Sequence, residues 1–237
     1  MSLIIRAFID FDCRDAPLYD GCGGGVGKTY PCGGYPPDKQ IIQTFHAGEV
    51  INVRFGNAQY GAPGQQDLTP SSNQARHSGG LCEFSVSYDQ GKTFGVVGRY
   101  HHSCPDIFYD WPVKLPANLP SCENCIFAWS WINAFTTAPE FYMGCADIQI
   151  IGRQESVVAV AAANLTPIRI ANIPGYPYYH APGDQFGNTK SDGPNVAEID
   201  TNMASAAGEQ DVSFQPMYSL RKRDRLAFRQ RFPPPNR

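Results

Sequence analysis

The chain has 237 residues, enough for one sizeable domain with extensions. It is 42% hydrophobic and 17% charged, and its 23 glycines and 20 prolines favour turns and short strands over long helices. A formal net charge of −3 gives no reason to expect nucleic acid as a partner, and no apolar run is long enough for a transmembrane helix.

The start, MSLIIRAFIDFDC, does not read as a signal peptide. Its apolar run is short, Arg6 interrupts it and acidic residues follow. Residues 12–40 are rich in Gly, Pro and Cys, an ordered loop if the cysteines pair. Within them CGGGVGKTY (22–30) imitates a phosphate-binding loop. That motif needs glycine where Cys22 stands and a helix where YPCGGYPP follows, so a disulfide-pinned turn is the better reading. VINVRF (50–55) alternates as a strand does. Residues 56–80 form a long polar loop, which ends at His77, Ser78, Gly79 and Gly80. A core strand has no need of a histidine against two glycines. A loop that must bring backbone and imidazole close to a ligand does.

A hairpin comes next: CEFSVSY, a turn at Asp89-Gln90-Gly91, and the return KTFGVVG. IFAWSWINA (126–134) and EFYMGCADIQII (140–151) give two further strands. In the last of these Glu140, Tyr142, Gly144, Ala146, Ile148 and Ile150 share a face. The isoleucines mark it as core, so Tyr142 points inward. Its ordinary alternative is a buried tyrosine with a bonded hydroxyl. No stretch before residue 152 has a helical period. The expectation is all-β, a two-sheet antiparallel sandwich with long loops. VVAVAAANL (157–165) fits helix or strand, and NIPGYPYYHAPGD is extended. We expect a domain over residues 1–180 and a disordered tail over 181–237, whose basic end is a solvated segment.

Eight cysteines (13, 22, 32, 82, 104, 122, 125 and 145) predict structural disulfides and an oxidising, extracellular setting. Cys82 and Cys104 flank the hairpin and are expected to pair. Cys122 and Cys125 lack the second pair of a zinc site and the helix of a redox motif. His101 and His102 face opposite ways on an extended chain and cannot share a metal, while His46 and His180 have no partner near in sequence.

Taken in order, HSGGLCEFSVSYDQGKTFGVV, Cys104-Pro105, FAWSWINA and EFYMGCADIQI resemble the fungal lytic polysaccharide monooxygenases, especially their chitin-active branch. That family typically shows H-G-G-G-x-C before the hairpin, and later E-[MF]-Y-M-N-C-A. The resemblance covers residues 28–151, with NIPGY as further support; Ser78 and Gly144 stand where Gly and Asn are usual. It implies an immunoglobulin-like sandwich, one copper, an external reductant, and a monomer acting on crystalline chitin or cellulose. His77 would be a metal ligand, Tyr142 the axial ligand and a catalytic residue, and Glu140 a catalytic carboxylate beside it. The family's brace also uses an N-terminal histidine. This chain starts at Met1 and has none before His46, so copper is expected to bind weakly to it. Either a preceding segment supplies that histidine, or the chain is a non-catalytic polysaccharide- or copper-binding cell-wall protein.

Overall fold

A computed structural model describes residues 17–19, 28–37, 40–55, 76–135, 137, 139–152 and 164–184, and the backbone of two short strands at 2–4 and 197–198. Most of the 56–80 loop, most of 157–165 and nearly all of the expected tail lie outside these residues. So do Cys13 and Cys22.

The described residues contain no helix. Their strands are β1 (Ser2–Ile4), β2 (Gln43–His46), β3 (Val50–Arg54), β4 (Gly80–Ser87), β5 (Gly95–Tyr100), β6 (Trp111–Lys114), β7 (Cys122–Asn133), β8 (Phe141–Ile151) and β9 (Ala197–Glu198). They form a three-stranded sheet, β1-β3-β6, and a six-stranded sheet, β2-β8-β7-β4-β5-β9. The all-β sandwich stands, with one correction. Most pairings are antiparallel, but β1 lies parallel to β3 and β2 parallel to β8. A pattern of period two is the same for both directions, so alternation could not distinguish them.

The sheets share a core in which inward residues alternate along each strand. Ile51 and Val53 of β3 and Trp111 and Val113 of β6 meet Phe84, Phe127, Trp131, Tyr142, Ile148 and Ile150 of the larger sheet. β8 therefore presents the face expected of it. The opposite face is also buried. Leu81, Val96, Ile132, Phe141, Met143 and Cys145 pack under Leu18, Ile168, Ala171, Ile173 and Ala181. Residues 168–181, which run into the Pro/Tyr-rich segment, thus cover this face of the sheet, and a buried carboxylate anchors them. Glu83, 1% exposed, accepts the backbone N–H of Arg169 at 2.6 Å and the Arg99 guanidinium at 2.7 Å. Burial on both faces explains why β4 reads as buried at every position.

Four strands escaped sequence reading. β1, β2 and β9 are two to four residues long, and β6 contains Pro112, which an edge position tolerates. The hairpin differs in width: its second strand begins at Gly95, three residues beyond the expected return at Lys92. The Asp89 carboxylate accepts bonds from the Thr93 N–H (2.9 Å), the Thr93 hydroxyl (2.6 Å) and the Ser87 hydroxyl (2.8 Å), which holds residues 88–94 as a broad turn. Burial pushes this carboxyl up, but those bonds outweigh it and leave it below its ordinary value.

Three disulfides join described cysteines: Cys32–Cys145, Cys82–Cys104 as expected, and Cys122–Cys125. The last lies inside β7 at a break in its register with β8, so it closes a bulge rather than preceding the strand.

One buried and two partly buried tyrosines make the fold sensitive to alkali. Tyr88 and Tyr100 donate to the carbonyls of Pro120 (3.0 Å) and Pro112 (2.6 Å), and burial raises both phenols above their usual value of 10.0. Burial likewise pushes Tyr30 up to about 12. The folded state keeps these protons when the unfolded chain would release them. The stabilisation is therefore complete below pH 10 and is lost as pH rises above it. The urea midpoint is expected to be level up to that point. Above it, stability should fall by as much as about 1.4 kcal/mol per pH unit for each of Tyr88 and Tyr100.

Candidate metal-binding site

Residues 76–80 make a turn that few side chains enter willingly. The Gly79 N–H donates to the Arg76 carbonyl at 2.8 Å, and the two residues at the corner, His77 and Ser78, have φ of 46° and 64°. Positive φ at both corners is a mirror-image turn, in which an L-residue costs roughly 1–2 kcal/mol per position. Gly79 and Gly80 follow at φ 74° and 142°. A side chain on Gly79 would run into the His102 carbonyl, and one on Gly80 into the Ile132 carbonyl. The glycines are there because the turn lies hard against its neighbours. The Gly80 N–H donates to the His102 carbonyl at 2.9 Å, and the Ala134 N–H donates to the Gly79 carbonyl at 3.0 Å.

The half-buried His77 ring is fixed among aromatic rings. It stacks near Trp131 (centroids 5.9 Å, 23° between planes) and near Tyr142 (6.5 Å, 23°), and Phe135 flanks it at 6.0 Å. Trp131 stacks on Tyr142 at 4.6 Å, and its indole N–H donates to the Gly79 carbonyl at 3.2 Å. β-Sheet register explains the meeting: Tyr142 of β8 pairs with Trp131 of β7, and Leu81, just past the turn, pairs with Ile132.

Around the Tyr142 hydroxyl the polar groups are closed up. The Tyr142 hydroxyl donates to Glu140 Oε2 at 2.6 Å. The same oxygen accepts the Asn133 amide at 2.6 Å, while Asn133 Oδ1 accepts the Glu140 N–H at 3.1 Å. Asn133, fully buried, thus holds the carboxylate from the neighbouring strand, β7. His77, Tyr142 and Glu140, chosen from sequence, come together. His46 and His180 are exposed elsewhere. The His101 and His102 rings are 6.3 Å apart, and His102 Nδ1 contacts the Gly183 carbonyl at 3.1 Å. Sequence reading missed Asn133, Trp131, Phe135 and Arg76. All but Arg76 lie on or beside the FAWSWINA strand, where pairing with β8 was the signal to follow.

Among the described residues no group of three or more His, Cys, Asp and Glu comes together to hold a metal. The chain is 33% identical over 128 residues to an AA11 family lytic polysaccharide monooxygenase A of Aspergillus fumigatus, covering 53% of this chain and 50% of that protein. The resemblance read from the motifs is to this class of protein. This chain spans about half the length of that curated relative. A solved structure, CvAA9A, aligns with 74% of this chain and 87% of its own at a TM-score of 0.42 and 12% identity, too distant to bear on the fold. No family model matches the chain.

Proposed function

We propose that this protein is a copper-dependent monooxygenase that cleaves chitin or cellulose oxidatively in an extracellular setting, with an external reductant. The observation that carries the reading is the convergence of His77 with Glu140 and Tyr142, which lie 63 and 65 positions further along the chain, at one end of the sandwich. The similarity to a lytic polysaccharide monooxygenase and the three disulfides support it.

The residues suit one side of a copper site. Imidazole is a favoured copper ligand, and His77 is held with its ring in a fixed plane. Tyr142 donates a hydrogen bond to Glu140, so its oxygen would keep a lone pair available to a bound metal. The further nitrogens of a brace would come from outside the described residues. Copper, when bound, supplies the one-electron and oxygen chemistry. The chain's own residues orient the imidazole, shield it with Trp131 and Phe135, and keep on the Tyr142 hydroxyl a carboxylate that can hold or pass a proton.

The test is a secreted form that begins, after processing, with a histidine ahead of the sandwich. Incubated with Cu(II), ascorbate and crystalline chitin or cellulose, it is expected to release oxidised oligosaccharides detectable by mass spectrometry. Tight Cu(II) binding without such products on either polymer would leave a binding protein instead.

Tyr142→Phe removes one of the two bonds to Glu140 Oε2 and leaves the one from Asn133. It is expected to cost about 1–2 kcal/mol in urea unfolding. Calorimetric titration should show Cu(II) affinity lowered by roughly tenfold.

A further inference from the structure

Arg76 is next to His77, yet at 1% exposure it is one of the largest fully buried side chains in the described structure. Two buried carboxylates face its guanidinium: Asp106, at 3.2 Å from Nε, and Asp184, bonded to Nη2. Nη2 also donates to the Ser103 carbonyl at 3.0 Å, and Nε to that of Pro105 at 3.3 Å. Asp106 is fixed in turn by the Phe108 N–H at 2.8 Å. One guanidinium therefore ties the His77 turn to residues 103–106 and to Asp184, which is 108 positions further on. Backbone bonds join the same pieces, since the Asp184 N–H donates to the Ser78 carbonyl at 2.9 Å.

Burying three charges is a poor route to stability, because desolvation offsets most of the attraction. Such groups are better suited to fixing a geometry. The geometry at hand is a pair of residues at positive φ, which persists only where the surroundings over-determine it. We propose that Arg76, Asp106 and Asp184 are a positioning clamp that holds His77 in its left-handed turn, stacked against Trp131 and Tyr142. Asp184 is the part that closes the clamp. This inference rests on the proposed function only for what the imidazole is used for. The clamp's three residues are positioning residues, acting through His77.

The test is made on the metal-free full chain, so that it does not depend on copper. Ring currents of Trp131 and Tyr142 displace the NMR signals of the His77 imidazole, and exchange of the Gly79 and Gly80 amides reports opening of the turn. In Asp184→Asn the His77 signals are expected to move toward those of an unstacked imidazole. The Gly79 amide should exchange at least about tenfold faster. Asp110→Asn, which breaks the Arg54–Asp110 pair on the other sheet, should change neither. Unchanged His77 signals and exchange in Asp184→Asn, or equal changes in Asp110→Asn, would overturn the clamp. If Asp184→Asn does not fold, Asp184→Glu is read the same way, since it keeps the charge but displaces the carboxylate by a methylene. A separate Cu(II) titration of the unmodified protein tests the metal reading, so the two can fail independently.

Discussion

His77→Ala, in the form that carries a processed N-terminal histidine, is expected to abolish release of oxidised oligosaccharides and to weaken Cu(II) binding by at least about a hundredfold. The imidazole is the one nitrogen ligand that the described part of the candidate site offers, and alanine has nothing to replace it. The fold should survive. His77 is half-buried on a turn, and alanine at φ 46° carries the same backbone cost, while the ring contacts with Trp131, Tyr142 and Phe135 are lost. That loss is worth roughly 0.5–1.5 kcal/mol. Thermal unfolding, Cu(II) titration and product analysis on the same sample separate the two effects. Copper affinity equal to that of the unmodified protein would remove His77 from the metal site and the proposed chemistry with it.

The second large effect concerns the covalent frame. Cys32→Ala with Cys145→Ala opens a bridge that spans 113 positions and fastens the 28–37 segment to β8, beside Met143. In the chain-entropy account a closed loop of this size is worth roughly 4–5 kcal/mol. For a domain of this length that is a fall in melting temperature of roughly 10–15 °C. The other bridges supply the control. Cys82–Cys104 spans 22 positions and Cys122–Cys125 only 3, so their removal should cost about 3 and about 1.5 kcal/mol on the same account. Urea unfolding of the three double variants gives the ranking. If opening the shortest bridge cost as much as opening the longest, the entropic origin would be wrong. Loss of the longest bridge also loosens the packing of Tyr30 against Phe141, the neighbour of both Glu140 and Tyr142. Some loss of copper affinity should accompany the loss of stability.

The sequence by itself determined what depends on local alternation and local chemistry. Period-two patterns over CEFSVSY, IFAWSWINA and EFYMGCADIQII specified strands, and the isoleucines of β8 specified which face carries Tyr142. The two glycines after His77 marked a backbone that must pass close to another, and they do pass against the carbonyls of His102 and Ile132. Tertiary structure decided whatever depends on register and on segments distant in the chain. His77 and Tyr142 share no local pattern. They meet because β7 pairs with β8 on one side and with β4 on the other, and so brings Trp131 against both. Asn133 is one residue of the expected 126–134 strand, and only that strand's pairing with β8 brings its amide onto Glu140. Arg76 read as part of the polar loop over residues 56–80. Its carboxylates arrive from 30 and 108 positions away, and only their arrival lets a charged side chain sit in the interior.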